Sequence, residues 1–236
     1  MFIGHYALGL AAKRLAPRTS LGTLFVAPTL ADLLWPVFLL LGWERVSPSG
    51  VTNPFLTLTF DAYPVSHSLL ALIGWSALYA LLYRARTGYG RGAIVVGLLV
   101  VSHWLLDFVT HVPDMPLYPG GPKVGLGLWH SVPGTVIIEG LMFAAGVAIY
   151  AATTRPRDGV GRIGLGVLVL VLAAAYVGSL FSPPPPMPAL AIGAIVFGGF
   201  SWWGRGGEID TGRRARSSET PGHRPGVSRP ETASLG

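Results

Sequence analysis

From Ser102 to Asp114 the chain reads Ser-His-Trp-Leu-Leu-Asp-Phe-Val-Thr-His-Val-Pro-Asp, which brings His103, Asp107, His111 and Asp114 close together in sequence. At 3.6 residues per turn, these four side chains fall within an arc of roughly 80° on one helix face. Trp104, Leu105, Leu106, Phe108 and Val109 cover the other faces. An imidazole and a carboxylate at i, i+4 can share a proton or hold a divalent cation. The stretch continues an apolar run that begins at Gly92. A polar stripe on such a helix is costly in lipid and needs partners, so it marks a functional site.

Candidate partners lie elsewhere in the chain. Asp32 sits in Ala27-Pro28-Thr29-Leu30-Ala31-Asp32-Leu33-Leu34-Trp35-Pro36, and His67 in Tyr63-Pro64-Val65-Ser66-His67-Ser68. Each also has a plainer reading. Asp32 can cap a helix broken at a proline, and His67 can sit at a helix start, which Ser66 and Ser68 suit. His5 near the chain start and His130 beside Trp129 read as interfacial residues. Glu139 lies inside an apolar run and needs a partner. Glu44 and Asp61 read as loop charges. The chain has no cysteine, which leaves His and carboxylate as the strong metal-ligand types. That donor set suits Zn²⁺, with Mn²⁺ or Fe²⁺ as alternatives. Asp32 and Asp114 are the candidates for a general base, and His103, Asp107, His67, Asp32 and His111 for ligands.

The elements that must position these residues are membrane helices. Only 12% of the 236 residues are charged, and the mean hydropathy is +0.54. The reading is all-α: a polytopic helical membrane protein with five to six transmembrane helices plus a short N-terminal apolar helix. Apolar segments at about 21–42, 63–83, 92–112, 132–152 and 162–182 are long enough to span. A sixth, at 188–203, is short and glycine-rich. The N-terminal helix, 2–16, is too short to cross. No conventional signal peptide precedes these segments, because Lys13 and Arg14 follow the first apolar stretch. Residues 1–203 form the membrane domain, with the site-bearing part in 1–131. Residues 204–236, rich in Gly, Arg, Ser, Pro and Thr, read as a disordered basic tail.

A cytoplasmic N-terminus puts all but two of the 17 basic residues, Arg45 and Lys123, on the inner side together with the tail. The basic residues flank apolar segments and form no folded basic face, which argues against nucleic-acid binding. Depth then groups the candidates. At 1.5 Å per residue, His103 and Asp107 lie roughly 18 and 24 Å from the inner end of their helix. His67, Asp32 and His5 lie roughly 25, 16 and 12 Å from theirs. These overlap in the middle and outer half of a core about 30 Å thick. His111, Asp114 and His130 fall at the outer surface, with the first two at the mouth of the site.

An N-terminal Gly4-His5, the proline-flanked Asp32 segment, Ser66-His67-Ser68-Leu69-Leu70 and Ser102-His103-x-x-x-Asp107 occur in that order. This resembles the YdjM-type family of bacterial inner-membrane proteins, described as membrane-bound metal-dependent hydrolases. The resemblance covers roughly residues 1–118. It implicates His5, Asp32, His67, His103 and Asp107, and implies the bacterial inner membrane. Where that family often carries Pro-Asp-x-Asp, this chain has Ala31-Asp32-Leu33-Leu34, with one carboxylate.

The leading expectation is therefore a hydrolase in the bilayer that uses a metal-activated water on a phosphoester in a lipid or lipid-linked substrate. Proton or metal-ion translocation is the alternative, since intramembrane His and Asp also form ion paths. A non-catalytic membrane scaffold with a structural metal is a third.

Overall fold

The computed structural model describes residues 1–156, 158–181 and 213–215. The expected helical architecture is present. Helix α1 (Ile3–Ala12) leads into a first span built in pieces: α2 (Leu21–Val26), a 3₁₀ turn (Ala27–Thr29) and α3 (Leu30–Leu40). The Ser20 hydroxyl caps α2 by accepting from the Thr23 amide at 3.1 Å. The break follows from Pro28, which has no N–H to donate and crowds the preceding turn. Pro36 removes another backbone donor inside α3, which continues through it, so Asp32 sits between the break and this proline.

A two-stranded antiparallel hairpin follows, β1 (Arg45–Pro48) with β2 (Leu58–Ala62), and then α4 (Leu69–Thr87) and α5 (Gly90–Thr110). The Ser68 side chain caps α4, and Gly88 ends it in the left-handed conformation that glycine adopts without penalty. Helices α4 and α5 lie side by side. The Ser76 hydroxyl donates to the Gly97 carbonyl at 2.8 Å, and glycine there lets the two helices approach closely. Beyond α5 come the short pair β3 (Met115–Pro116) and β4 (Lys123–Val124), then α6 (Val132–Thr153). Strand β5 (Thr154–Pro156), helix α7 (Gly159–Ser179) and strand β6 (Arg213–Ala215) complete the described elements, with β5 pairing β6.

Three helical segments are long and apolar enough to cross a membrane: Leu21–Leu40, Gly90–Thr110 and Val132–Thr153. Their positions match three of the five expected spans. The other two differ. Residues 63–68 form a turn, so the second helix starts only at Leu69 and ends with Arg84 and Arg86 in its last turn. The apolar stretch in α7, Ile163–Ser179, is shorter than a full crossing. The expected sixth segment lies outside the described residues, as does most of the expected disordered tail. Leucines and isoleucines such as Leu81, Ile94, Leu98, Leu141 and Leu170 are exposed on the outward faces, which fits helices in lipid.

The interior carries the positioning. One apolar cluster joins α4, α5 and the first span through Leu72, Val96, Val100, Ala31 and Trp35. A second joins α1, α2, α6 and α7 through Leu10, Phe25, Phe143 and Leu172. Helix α1 is short, yet it is buried between its neighbours. A Cβ on Gly146 of α6 would lie 2.5 Å from the Ala7 carbonyl oxygen, and one on Gly9 would lie 2.6 Å from that of Leu24. Glycines on both sides thus let α1 press against α2 and α6, and His5 faces inward with them.

Candidate metal centre

Helix α5 brings His103 and Asp107 to the inside of the bundle, where both are almost fully buried. The i, i+4 spacing sets His103 Nε2 3.1 Å from Asp107 Oδ2. The alignment does not make a hydrogen bond, so His103 Nε2 is a buried nitrogen without a partner. The other ring nitrogen is engaged: Nδ1 lies 2.8 Å from the Pro28 carbonyl oxygen. A carbonyl only accepts, so Nδ1 carries the proton. A histidine held this way has an Nε2 lone pair facing the cluster, as metal-binding histidines do.

Asp32 Oδ1 lies 3.9 Å from His103 Nε2 and 3.5 Å from His67 Nε2. On the opposite side, His5 stacks on His103 with ring centroids 4.2 Å apart and reaches Asp107 Oδ1 at 3.2 Å. The same oxygen accepts from the Met1 amine at 2.5 Å. Two triads result, Asp32–His67–His103 and His5–His103–Asp107, each with its ligand atoms within 4.8 Å of one another. His5, Asp32, His67, His103 and Asp107 meet at this one place. Nitrogen and carboxylate donors that converge on an orphaned imidazole fit a divalent cation, so the cluster can hold a metal ion.

The triads differ in access. His5, His103 and Asp107 are buried, whereas the Asp32 side chain is 47% exposed. That exposure is toward a cavity of about 160 Å³ lined by Asp32, His67, Asp107, His111 and Glu139 among aromatic side chains. Such a volume holds several water molecules.

His111 and Asp114, expected at an outer mouth, are drawn inward. His111 is only 3% exposed, under Trp129 at a ring distance of 3.9 Å and beside Phe60 of β2 at 5.1 Å. The hairpin and the turn before α6 cover this end, and Asn53 donates to the Trp129 carbonyl at 2.8 Å. Asp114 Oδ1 accepts from His111 Nδ1 and from the Tyr63 hydroxyl, both at 2.9 Å. Burial, and then the Asp114 carboxylate, push the Tyr63 phenol above its ordinary value, so it stays a donor. With Nδ1–H directed at Asp114, His111 Nε2 is left bare, 3.7 Å from Asp107 Oδ2. His130 is exposed and outside the cluster.

Two carboxylates were underrated by the sequence. Glu44 is 2% exposed and is no loop charge: Oε1 accepts from the Val65 and Ser66 amides, each at 2.8 Å, and Oε2 from the Ser66 hydroxyl at 2.7 Å. Ser66 Oγ in turn lies 2.7 Å from His67 Nδ1. Glu139 on α6 has the partner its position demanded. Its Oε2 accepts from the Phe2 and Gly4 amides at 2.8 and 3.2 Å, which satisfies donors at the start of α1. The neighbouring Trp43 signalled Glu44 poorly, since Trp43-Glu44-Arg45 reads as an interfacial loop.

No family model, curated protein or solved structure matches the chain. The functional reading therefore rests on the residues and their geometry.

Proposed function

We propose that the chain is a membrane-embedded, metal-dependent hydrolase acting on a phosphoester in a lipid or lipid-linked substrate. The observation that carries this reading is His103 Nε2, a buried nitrogen without a hydrogen-bond partner, 3.1 Å from Asp107 and 3.9 Å from Asp32, while Nδ1 is held by the Pro28 carbonyl. Asp32, His67 and His103 would hold the ion, because Asp32 and His67 of this triad line the cavity. Three protein donors and one open position are the pattern of a catalytic zinc site. A divalent ion there, Zn²⁺ by donor set, supplies a water acidified toward neutral pH and polarises a phosphoryl oxygen.

The remaining roles belong to the chain's own groups. His111 accepts the proton of the attacking water on its bare Nε2, and Asp114 stabilises the imidazolium that results. Tyr63 holds Asp114 in place from the other side. Trp35 and Trp129 line the cavity, and each has an indole N–H without a partner. Those donors suit ester or phosphoryl oxygens, and the rings suit the first carbons of an acyl chain.

Full-length protein in detergent tests the assignment through three variants. His67→Ala and His103→Ala are expected to lose bound zinc, read by elemental analysis, together with phospholipid cleavage. His111→Ala should keep the metal and slow cleavage about 10²–10⁴-fold. Full zinc stoichiometry in both His67→Ala and His103→Ala would refute a metal site here. Zinc uptake into proteoliposomes that requires His103, with no lipid cleaved, would replace hydrolysis by ion translocation.

A further inference from the structure

The chain Glu44–Ser66–His67 has a direction, and the direction decides which His67 nitrogen is bare. Glu44 offers only acceptors, and three donors converge on it: the Val65 amide, the Ser66 amide and the Ser66 hydroxyl. The single hydroxyl proton of Ser66 is spent on Glu44 Oε2 at 2.7 Å. Ser66 Oγ can then only accept from His67 Nδ1, 2.7 Å away. Nδ1 must carry a ring proton, and in the neutral ring that leaves the Nε2 lone pair free toward Asp32 Oδ1, 3.5 Å away. All three residues are buried, at 2%, 0% and 3% exposure, so no water competes for these bonds.

We infer that Glu44 is a positioning residue that, through Ser66, locks His67 in the Nδ1–H form and so makes Nε2 available as a metal ligand. The inference rests on the metal-site reading for its functional meaning, while the tautomer itself stands on hydrogen bonds alone. A carboxylate that only capped the turn before α4 would serve as well with a neutral amide in its place. A locking carboxylate would not. In Glu44→Gln the amide oxygen keeps the two backbone donors, and the amide NH₂ now donates to Ser66 Oγ. The Ser66 proton is released to point at His67 Nδ1, and the ring proton moves to Nε2. The relay runs backwards, and the ligand lone pair is lost.

This reversal makes an unusual ordering testable. The near-isosteric Glu44→Gln should weaken zinc binding more than Ser66→Ala, which breaks the relay without reversing it. The expected losses are about 100-fold for Glu44→Gln and about 10-fold for Ser66→Ala, measured with zinc alone against a competing chelator in the detergent-purified full chain. Nitrogen NMR of histidine-labelled, metal-free protein reads the tautomer directly. Wild type should show His67 with Nδ1 protonated, Glu44→Gln with Nε2 protonated, and Ser66→Ala a mixture. An unchanged tautomer in Glu44→Gln would overturn the inference, as would a Ser66→Ala protein that keeps wild-type tautomer and affinity. If Glu44→Gln fails to fold, Ser66→Ala alone decides between these outcomes. A wild type that binds no zinc yet shows the Nδ1–H form and its reversal would sink the metal reading and leave the relay standing.

Discussion

Removing Asp114 and removing Tyr63 should not have the same effect, although one hydrogen bond joins them. Tyr63→Phe deletes one hydrogen bond to Asp114, a change of about 0.5–1.5 kcal/mol, and should slow turnover by about tenfold at most. Asp114→Ala deletes the group that orients His111 and supports its charge, and should slow turnover about 100-fold. Zinc content should stay at the wild-type level in both, since neither residue belongs to the triads. Steady-state rates and elemental analysis together check the pair. The His103–Asp107 pair was legible in the sequence because i, i+4 spacing on an apolar helix has few other uses. Glu44 was not, because its neighbours look like a surface loop and its partners lie 21 and 22 residues away. His111 was legible as a chemical group but not as a buried one. Its cover comes from Phe60 and Trp129, which sequence spacing does not connect to it.

Helix α1 shows what sets an element that cannot span alone. It holds His5 in place because Gly146 and Gly9 allow backbone contact on two sides. Gly146→Ala would put a methyl group against the Ala7 carbonyl, which cannot give way as a side chain can. A loss of about 1–3 kcal/mol is expected, read as a lower unfolding midpoint in detergent. His5 should shift with α1, so the mixture of contacts at Asp107 changes even though the triad open to the cavity keeps its residues. The span pattern was partly legible for a related reason. Apolar length finds α5 and α6 well, since nothing interrupts them. It overextends α4, where Ser68 capping and the Glu44-held turn at residues 63–68 override apolar character.

At the scale of the whole molecule, the absence of cysteine becomes an experimental asset. Single cysteines at Thr87, just before α5, and at Tyr118, beyond its other end, are both exposed. If α5 crosses the bilayer, a membrane-impermeant thiol reagent should label them from opposite sides of sealed vesicles. The arginine-rich end containing Thr87 should be the protected one in intact cells. Labelling of both from one side would remove α5 from the set of spans. The depth argument from sequence, which put Asp32, His67 and His103 at one level, anticipated residues that do converge. It counted the first span as one continuous helix, although the prolines beside Asp32 had offered a break. That break matters beyond geometry. The Pro28 carbonyl, freed where the span is interrupted, is what fixes the His103 ring. An interrupted helix is also where a span bends when its length and the surrounding hydrocarbon disagree. On that account the hold of Pro28 on His103 should respond to the acyl length of the host lipid, read as zinc affinity in bilayers of differing thickness.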